Sequence, residues 1–308
     1  AFTHGIETPE AIKAFLAYAS RNWSVAPRYV VLAGKGTFDY KGFLGTGDCL
    51  VPPMLVATHW GLFASDNWFV DLDDDLLPDI ALGRLPAAGA EELGVLVDKI
   101  IAYETAAGGE WQKRILLAAD NRDSGGNFTA ASEALADRIP AGHDITRSYL
   151  DHTSVSEARE ILLGGVDRGV AFMNYFGHGG PDRMAGEGLL KSSDVGSLAN
   201  GSRLPIVTAM TCFIGRFEMP GYNSLAEQLL LSRAGGSVAV WSPTGMSMNH
   251  PAKLLSLEFY SALSRQDGQL LGDAMLTGMR GFAAQSEARS TLAVYGLLGD
   301  PALRIPTP

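Results

Sequence analysis

Cysteine is scarce in this 308-residue chain, which contains only Cys49 and Cys212. Two cysteines allow at most one disulfide within the chain, so the fold is not a disulfide scaffold. The sequence also lacks C-x-x-C and H-E-x-x-H patterns, which excludes the common zinc motifs. No run of about 18 apolar residues occurs, so the sequence predicts no membrane-spanning helix.

Positive charge is scarce as well. The chain has 24 Lys and Arg against 34 Asp and Glu, a net charge of −10, and no basic cluster. Because polyanions bind basic surfaces, we expect neither nucleic acid nor an anionic membrane as a partner. The composition, with 46% hydrophobic and 19% charged residues, is typical of a globular protein with a sizeable core.

Short apolar runs alternate with amphipathic segments along the chain, and this alternation predicts an α/β fold with mostly parallel sheets flanked by helices. Helices are predicted at residues 11–23, 88–104, 129–139, 156–165, 192–200 and 224–236. Strands are predicted at residues 28–34, 78–84, 114–120, 144–150, 169–176, 204–211 and, as the last of the series, 237–242. The double glycine Gly108-Gly109 predicts a boundary between two side-by-side subdomains, 1–108 and 109–308.

Two reactive side chains follow two successive strands. His178 comes after GVAFMNYF and Cys212 after LPIVTAMT, and one crossover links the two strands. We therefore expect both residues at the same carboxyl edge of the sheet, where α/β proteins bind ligands. A single histidine in a glycine turn is most often structural, but a thiol beside an imidazole is a nucleophile beside a proton acceptor. The N–H groups of Gly179 and Cys212 are candidate donors to an oxyanion.

The sequence resembles the gingipain-type cysteine peptidases, family C25, which have a caspase-like fold. The resemblance rests on the His-Gly and Cys strand ends and on three further segments, SDNWFVDLDDDLLPDIALGRLP, SLAEQLLLSRAGGSVAVWSPTG and VYGLLGDPALRI. It implies a caspase-like domain that hydrolyses peptide bonds through a thioester, with Cys212 as nucleophile, His178 as acid and base, and Gly179 as an oxyanion donor. A peptidase of this kind requires no cofactor for the chemistry.

The resemblance also places an acidic residue near the histidine, and the matching position here is Asp120. The residue stands at the carboxyl end of a predicted strand, where its carboxylate could orient His178. The alternative is that Asp120 caps a turn or a helix.

The predicted substrate pocket departs from the family pattern. Where arginine-specific gingipains have an acid, this chain has Asn127 and Phe128, with Asp123 close but shifted. Where the family has a tryptophan wall, this chain has Met248 in the segment SPTGMSMNHP. The candidate substrate-binding residues are therefore Asn127, Phe128, Met246, Met248 and His250. Because a buried cation needs a carboxylate partner, we expect the P1 side chain not to be restricted to Arg or Lys.

Alternating carboxylates between the first two predicted strands indicate a possible calcium site, since oxygen-rich loops suit Ca²⁺ and family members bind it. The candidate ligands are Asp71, Asp73, Asp75 and Asp79. The alternative is a solvated acidic turn.

Two other functions remain open at this point. Some gingipain relatives act as sortase-like transpeptidases of a secretion system, and the alternative from another class is a catalytically silent module of a secreted bacterial protein. The chain begins AFTHG without Met and ends ALRIPTP, so we expect it to be linked to further domains of a longer protein. The resemblance implies a secreted or cell-surface location in a bacterium and a protein or peptide substrate.

Overall fold

The computed structural model describes residues 2–45, 49–106, 108–264 and 270–305. Its helices are α1 (Pro9–Asn22), α2 (Ala90–Thr105), α3 (Phe128–Ala136), α4 (Val155–Arg168), α5 (Ser192–Val195), α6 (Leu225–Leu231), α7 (Asn249–Leu263), α8 (Leu271–Gln285) and α9 (Ser290–Val294). Its strands are β1 (Tyr29–Ala33), β2 (Leu55–Thr58), β3 (Gly61–Ala64), β4 (Ala81–Leu85), β5 (Arg114–Ala119), β6 (Asp144–Tyr149), β7 (Phe172–Phe176), β8 (Gly179–Gly180), β9 (Arg183–Met184), β10 (Leu190–Lys191), β11 (Ile206–Met210), β12 (Ala239–Pro243) and β13 (Tyr295–Leu298).

Eight of these strands form one sheet in the order β1-β4-β13-β12-β11-β7-β5-β6. The five strands from β12 to β6 are parallel to one another, and so are β13, β4 and β1. The two groups meet at the antiparallel pair β12–β13. The predicted α/β class with a mostly parallel sheet is confirmed, and the boundary at 108/109 stays a prediction.

The prediction that residues 237–242 form the last strand is wrong, because β13 follows near the end of the chain. It lies between β12 and β4 and pairs with β4 through Leu298 and Arg84. The two predicted subdomains therefore share one continuous sheet. Sequence periodicity does not reveal such a pairing, since it joins segments more than 200 residues apart.

The sheet is covered on both faces, as its nearly continuous apolar strands predict. Along β5, Ile115, Leu117 and Ala119 belong to one core, while Leu116 and Ala118 belong to the other. Helices α3, α7 and α8 pack on the first face and α2, α4 and α6 on the second. This alternation is the two-residue period of a strand, and it leaves the strand ends as the places where polar chemistry is tolerated.

A buried ion pair fixes the β4 side of the sheet. Arg84 is fully buried and binds the Asp66 carboxylate through two hydrogen bonds of 2.7 Å. Its remaining donor groups reach the carbonyls of Gly34 and Val51, each at 2.9 Å. The guanidinium also stacks over Phe217, 4.4 Å from the ring centroid, in the loop that follows Cys212. The N-terminal strands are thus tied to the segment after the candidate nucleophile.

Two small sheets complete the fold: the hairpin β2–β3 and the three-stranded sheet β10-β9-β8. Within the described ranges, no helix has the length and apolar character that a bilayer crossing requires.

Candidate active site

The two candidate catalytic residues leave the same edge of the sheet. Strands β7 and β11 are parallel neighbours, and Phe176 and Met210 are partners at the end of their register. His178 and Cys212 each lie two residues beyond these partners. Both cysteines are free thiols. The prediction that the two strands are adjacent is confirmed.

The main chain of His178 is held on both sides. Its N–H donates to Oδ2 of Asp120 at 3.0 Å, and its carbonyl accepts from the Tyr175 hydroxyl at 2.6 Å and from the Ala185 N–H at 2.9 Å. A Cβ at Gly177 would lie 2.2 Å from the tyrosine hydroxyl oxygen and 2.4 Å from Cβ of Asp120. Only glycine fits there, which explains why the strand ends in a histidine flanked by glycine.

The imidazole is oriented by a different acid. Nε2 of His178 lies 2.8 Å from Oδ2 of Asp123, whose other oxygen accepts the Gly125 N–H at 2.7 Å. The hydrogen bond to His178 lowers the pKa of Asp123 below its usual range. The sequence pointed to Asp120 for this contact, but that carboxylate accepts main-chain N–H groups, and its burial raises its pKa.

Asn127 and Phe128 both have structural contacts, and substrate binding by these two residues stays a prediction. The Asn127 side chain accepts the Ala130 N–H at 2.9 Å and caps α3. Phe128 is 3% exposed, and its ring packs edge-on against the His178 ring with centroids 5.3 Å apart. An asparagine directly before a helix prefers the N-cap, because its oxygen satisfies a free helical N–H.

The thiol of Cys212 lies against the main chain of Ser247. The Ser247 N–H approaches Sγ at 3.3 Å, and Sγ is 3.5 Å from the Ser247 carbonyl oxygen. Burial raises the pKa of Cys212, and the Ser247 N–H opposes this shift. Within the described ranges the N–H of Cys212 itself makes no main-chain hydrogen bond.

Gly179 packs directly on the cysteine segment. A Cβ at this position would lie 2.4 Å from Oγ1 of Thr211 and 2.8 Å from the carbonyl oxygen of Cys212. The residue after the nucleophile, Phe213, has a left-handed backbone with φ of 62°, and its N–H donates to the Gly245 carbonyl at 3.1 Å. The His178 turn and the Cys212 turn thus touch through main-chain atoms.

The loop between β12 and α7 carries the other predicted pocket residues. Met246 and Met248 are 38% and 58% exposed, and His250 is exposed in the first turn of α7. Met246 and Met248 flank Ser247, whose main chain contacts the thiol, and substrate binding by the three residues stays a prediction. A Cβ at Gly126 would lie 2.2 Å from Nδ2 of Asn249, so the end of this loop also packs on the Asp123 turn.

Three of the four candidate calcium ligands lie together. One carboxylate oxygen each of Asp71, Asp73 and Asp75 falls within 4.8 Å of the others. Asp79 does not join them: its Oδ2 accepts the Leu72 N–H at 2.8 Å. In a tight turn, aspartate carboxylates accept main-chain N–H groups as readily as they bind a cation.

The donor chemistry of the three-aspartate cluster is that of a hard cation, but its oxygens are partly engaged. Asp71 accepts the N–H groups of Asp75 and Leu76 at 3.0 and 3.1 Å, and Oδ2 of Asp75 lies 3.4 Å from the Arg289 guanidinium. Calcium binding stays a prediction.

Sequence reasoning missed two contributors to this site. Asp123 was noted only as a nearby acid, although the Gly125-Gly126 pair that follows it indicates the tight turn that aims its carboxylate at the ring. Ser247 acts through its main chain, and a main-chain contact leaves no signal in residue type.

Comparison with known proteins gives consistent results. The family described as Peptidase family C25 matches residues 1–306. Lys-gingipain from Porphyromonas gingivalis is 24% identical over 160 residues, which are 51% of this chain and 9% of that relative. The chain therefore spans a small part of the length of the curated relatives it matches.

Solved structures agree with the predicted caspase-like fold. The crystal structure of the Arg-specific cysteine proteinase gingipain R has a TM-score of 0.81 at 20% identity, covering 97% of this chain and 69% of that chain. The complex of the pro- and mature domains of Porphyromonas gingivalis RgpB has a TM-score of 0.81 at 19% identity, covering 99% of this chain and 73% of that chain.

Proposed function

Because the chain belongs to peptidase family C25, a family of cysteine endopeptidases, we propose that it hydrolyses peptide bonds through a thioester on Cys212. One observation carries the proposal. A half-buried thiol and a partly exposed imidazole leave the same sheet edge two residues beyond paired strand ends, and each is held by its own loop.

The hydrogen bonds of the histidine support a proton path. An ionised carboxylate accepts, so Nε2 of His178 would donate its N–H to Asp123, and Nδ1 would be the nitrogen that acts on the thiol. Nδ1 takes the thiol proton as Sγ attacks the carbonyl carbon, and the carbonyl π electrons move to oxygen. The imidazole then gives the proton to the amine as the C–N bond breaks. Water, deprotonated by the same nitrogen, adds to the thioester carbon; the C–S bond then breaks, the acid leaves, and the proton returns to Sγ.

The oxyanion would be held by main-chain donors. The N–H of Cys212 has no main-chain acceptor among the described residues, and Gly179 packs against the same segment. Each such donor contributes about 3 kcal/mol of transition-state stabilisation in other enzymes.

The test is covalent labelling with a peptidyl acyloxymethyl ketone, followed by peptide mapping. We expect the adduct on Cys212 and none on Cys49, because Cys49 lies in the loop between β1 and β2, away from the strand ends that carry His178 and Cys212, and its described hydrogen bonds are to main-chain atoms of Thr37. An unlabelled Cys212 in a protein that cleaves no peptide would favour the silent module. Products formed with an added amine would separate the two enzymes: free acid alone indicates a hydrolase, and an amide product indicates a transpeptidase.

For specificity we propose that a neutral P1 side chain is accepted. The relatives are named for Lys and Arg, but here Asp123 is committed to His178, Asn127 caps a helix, and the loop from 244 to 250 carries no acid. The exposed methionines of that loop offer an adaptable apolar surface. Matched peptides with Arg, Lys, Leu, Ala and Asn at P1 test this. A strong preference for Arg that disappears in Asp123→Asn would contradict it.

We also propose that the cluster of Asp71, Asp73 and Asp75 binds Ca²⁺ as a structural ion, supported by the convergence of three carboxylates. Millimolar CaCl₂ should then raise the melting temperature relative to EDTA. Asp73→Asn should abolish the rise, whereas Asp79→Asn should keep it. An equal response in both variants would contradict the site.

The cellular setting is a proposal supported by the bacterial relatives. We propose a secreted or cell-surface protein, linked to further domains, that acts on protein or peptide substrates. Immunodetection in culture supernatant and on intact cells tests the location, and detection in lysed cells alone would contradict it.

A further inference from the structure

The sulfur of Cys212 is positioned by a residue 35 positions later in the chain. Ser247 offers its N–H at 3.3 Å and its carbonyl at 3.5 Å to the same Sγ. An N–H directed at sulfur stabilises the thiolate, so the placement of this one amide affects how readily the nucleophile forms. What holds Ser247 is therefore part of the site.

The side chain of Ser247 is anchored on strand β13. Its hydroxyl lies 2.9 Å from the hydroxyl of Tyr295, the first residue of β13. The neighbouring Met246 and Met248 are exposed, so they give the loop little packing. The Ser247–Tyr295 contact is a direct side-chain link between the exposed part of this loop and β13.

Tyr295 is itself rigid. Its side chain is fully buried, its ring packs on Trp241 with centroids 6.2 Å apart, and its carbonyl accepts the Asn67 side-chain N–H at 2.9 Å. Burial raises the pKa of Tyr295, so the hydroxyl stays neutral. Among the described residues, the phenol of Tyr295 is a titratable group close to the thiol, and the imidazole of His178 with its Asp123 carboxylate lies on the turn after the neighbouring strand β7.

We propose that Tyr295 is a positioning residue for the nucleophile: its hydroxyl holds Ser247, and the Ser247 N–H holds and stabilises the sulfur of Cys212. The inference rests on the proposed role of Cys212. It assigns a role to the hydroxyl alone, because the ring packs in the core whether or not the oxygen is present.

The experiment measures the rate of Cys212 alkylation by iodoacetamide from pH 5 to 10 in the Cys49→Ala protein. In Tyr295→Phe and in Ser247→Ala we expect a higher apparent pKa of the thiol and a rate at pH 7 lower by roughly three- to tenfold, which corresponds to half to one pH unit. The double variant should be no slower than either single variant, since both remove the same contact. Ser247→Thr, which keeps the hydroxyl, should restore most of the rate.

Tyr260→Phe is the matched control. Tyr260 is also buried, and its hydroxyl lies 3.1 Å from that of Thr208 inside the sheet, away from the thiol. It should lower the melting temperature without moving the alkylation profile. If Tyr295→Phe and Ser247→Ala behave like this control, the proposal is wrong. Alkylation is read without substrate, so peptidase activity that survives Cys212→Ala would overturn the proposed function separately.

Discussion

The two halves of the candidate site are built by different forces. In the cysteine half the thiol is half-buried and is held by main-chain atoms of a loop that is anchored on β13. In the histidine half, the main chain is clamped by buried groups, but the ring is 53% exposed and is held by one exposed carboxylate. The nucleophile is thus fixed by packing, whereas the base keeps the freedom to move between the thiol and a leaving amine. Substitutions in the two halves should fail in different ways.

The largest effect is expected at the nucleophile. Cys212→Ala should lower kcat/KM by a factor of about 10⁴ or more, because no other thiol reaches the site. Its melting temperature should change little, since a sulfur at a strand end fills little volume. Cys49→Ala is the control and should keep wild-type kinetics in the same peptide assay. If Cys212→Ala keeps its peptidase activity, Cys212 is not the nucleophile, and the comparison of the two halves no longer applies.

The glycines of the histidine half should separate the clamped main chain from the free ring. In Gly177→Ala the new methyl meets the buried Tyr175 hydroxyl and Asp120, so we expect a loss of about 1–3 kcal/mol in unfolding free energy and at least a hundredfold in activity. In Gly125→Ala the methyl would lie 2.9 Å from Cε1 of the exposed imidazole, which can swing away. That variant should lose about tenfold in activity and keep its stability. Denaturant titration with a kinetic assay decides, and equal stability losses would contradict the distinction.

The two acids should differ in the same way. Asp123→Asn should lower kcat about 10- to 100-fold with little change in stability, because the carboxylate is 41% exposed and touches only the ring and its own turn. Asp120→Asn should lower stability by about 1–3 kcal/mol, because a buried acceptor of two N–H groups is disturbed. The pKa of Asp123 is depressed by His178, so its contribution is present at neutral pH and is lost only as the pH falls through that low pKa. If Asp120→Asn keeps full stability, the hydrogen bonds that Asp120 accepts from the main chain do not contribute to the free energy of unfolding.

The smallest effect concerns stability alone. Glu218, in the loop after Cys212, is buried, and this burial raises its pKa to about 7, although the Arg216 side chain lies 3.2 Å from Oε1. Because the folded state holds this proton more tightly, stability should be greatest below pH 4.5 and fall by up to about 3 kcal/mol as the pH rises to about 7.

Glu218→Gln should remove this decline in urea titrations between pH 4.5 and 8. Glu91→Gln, which changes an exposed acid of α2, should keep it. A decline that persists in Glu218→Gln would assign the buried charge to another group.

The sequence predicted those parts of the site that depend on local pattern. His178 and Cys212 follow fully buried five-residue strands, so their common edge can be inferred from neighbouring segments. The choice between Asp120 and Asp123 depends on a turn of four residues, which periodicity does not describe. Tyr295 and Ser247 are 48 positions apart, and their contact exists only because β13 enters the sheet beside β12. Long-range pairings of this kind leave no local signal.

The place of β13 sets the order in which a newly made chain acquires function. Strands β7 and β11 and the thiol are complete once residue 212 has emerged, but Tyr295 follows roughly 4 to 17 s later at 5–20 residues per second. Until then β12 and β4 each lack β13 as a neighbour in the sheet, and the Ser247 loop lacks its hydrogen bond to β13. The last strand to be synthesised therefore closes the sheet and completes the nucleophile together, so a growing chain carries an unfinished thiol site while the residues from 213 to 295 are added.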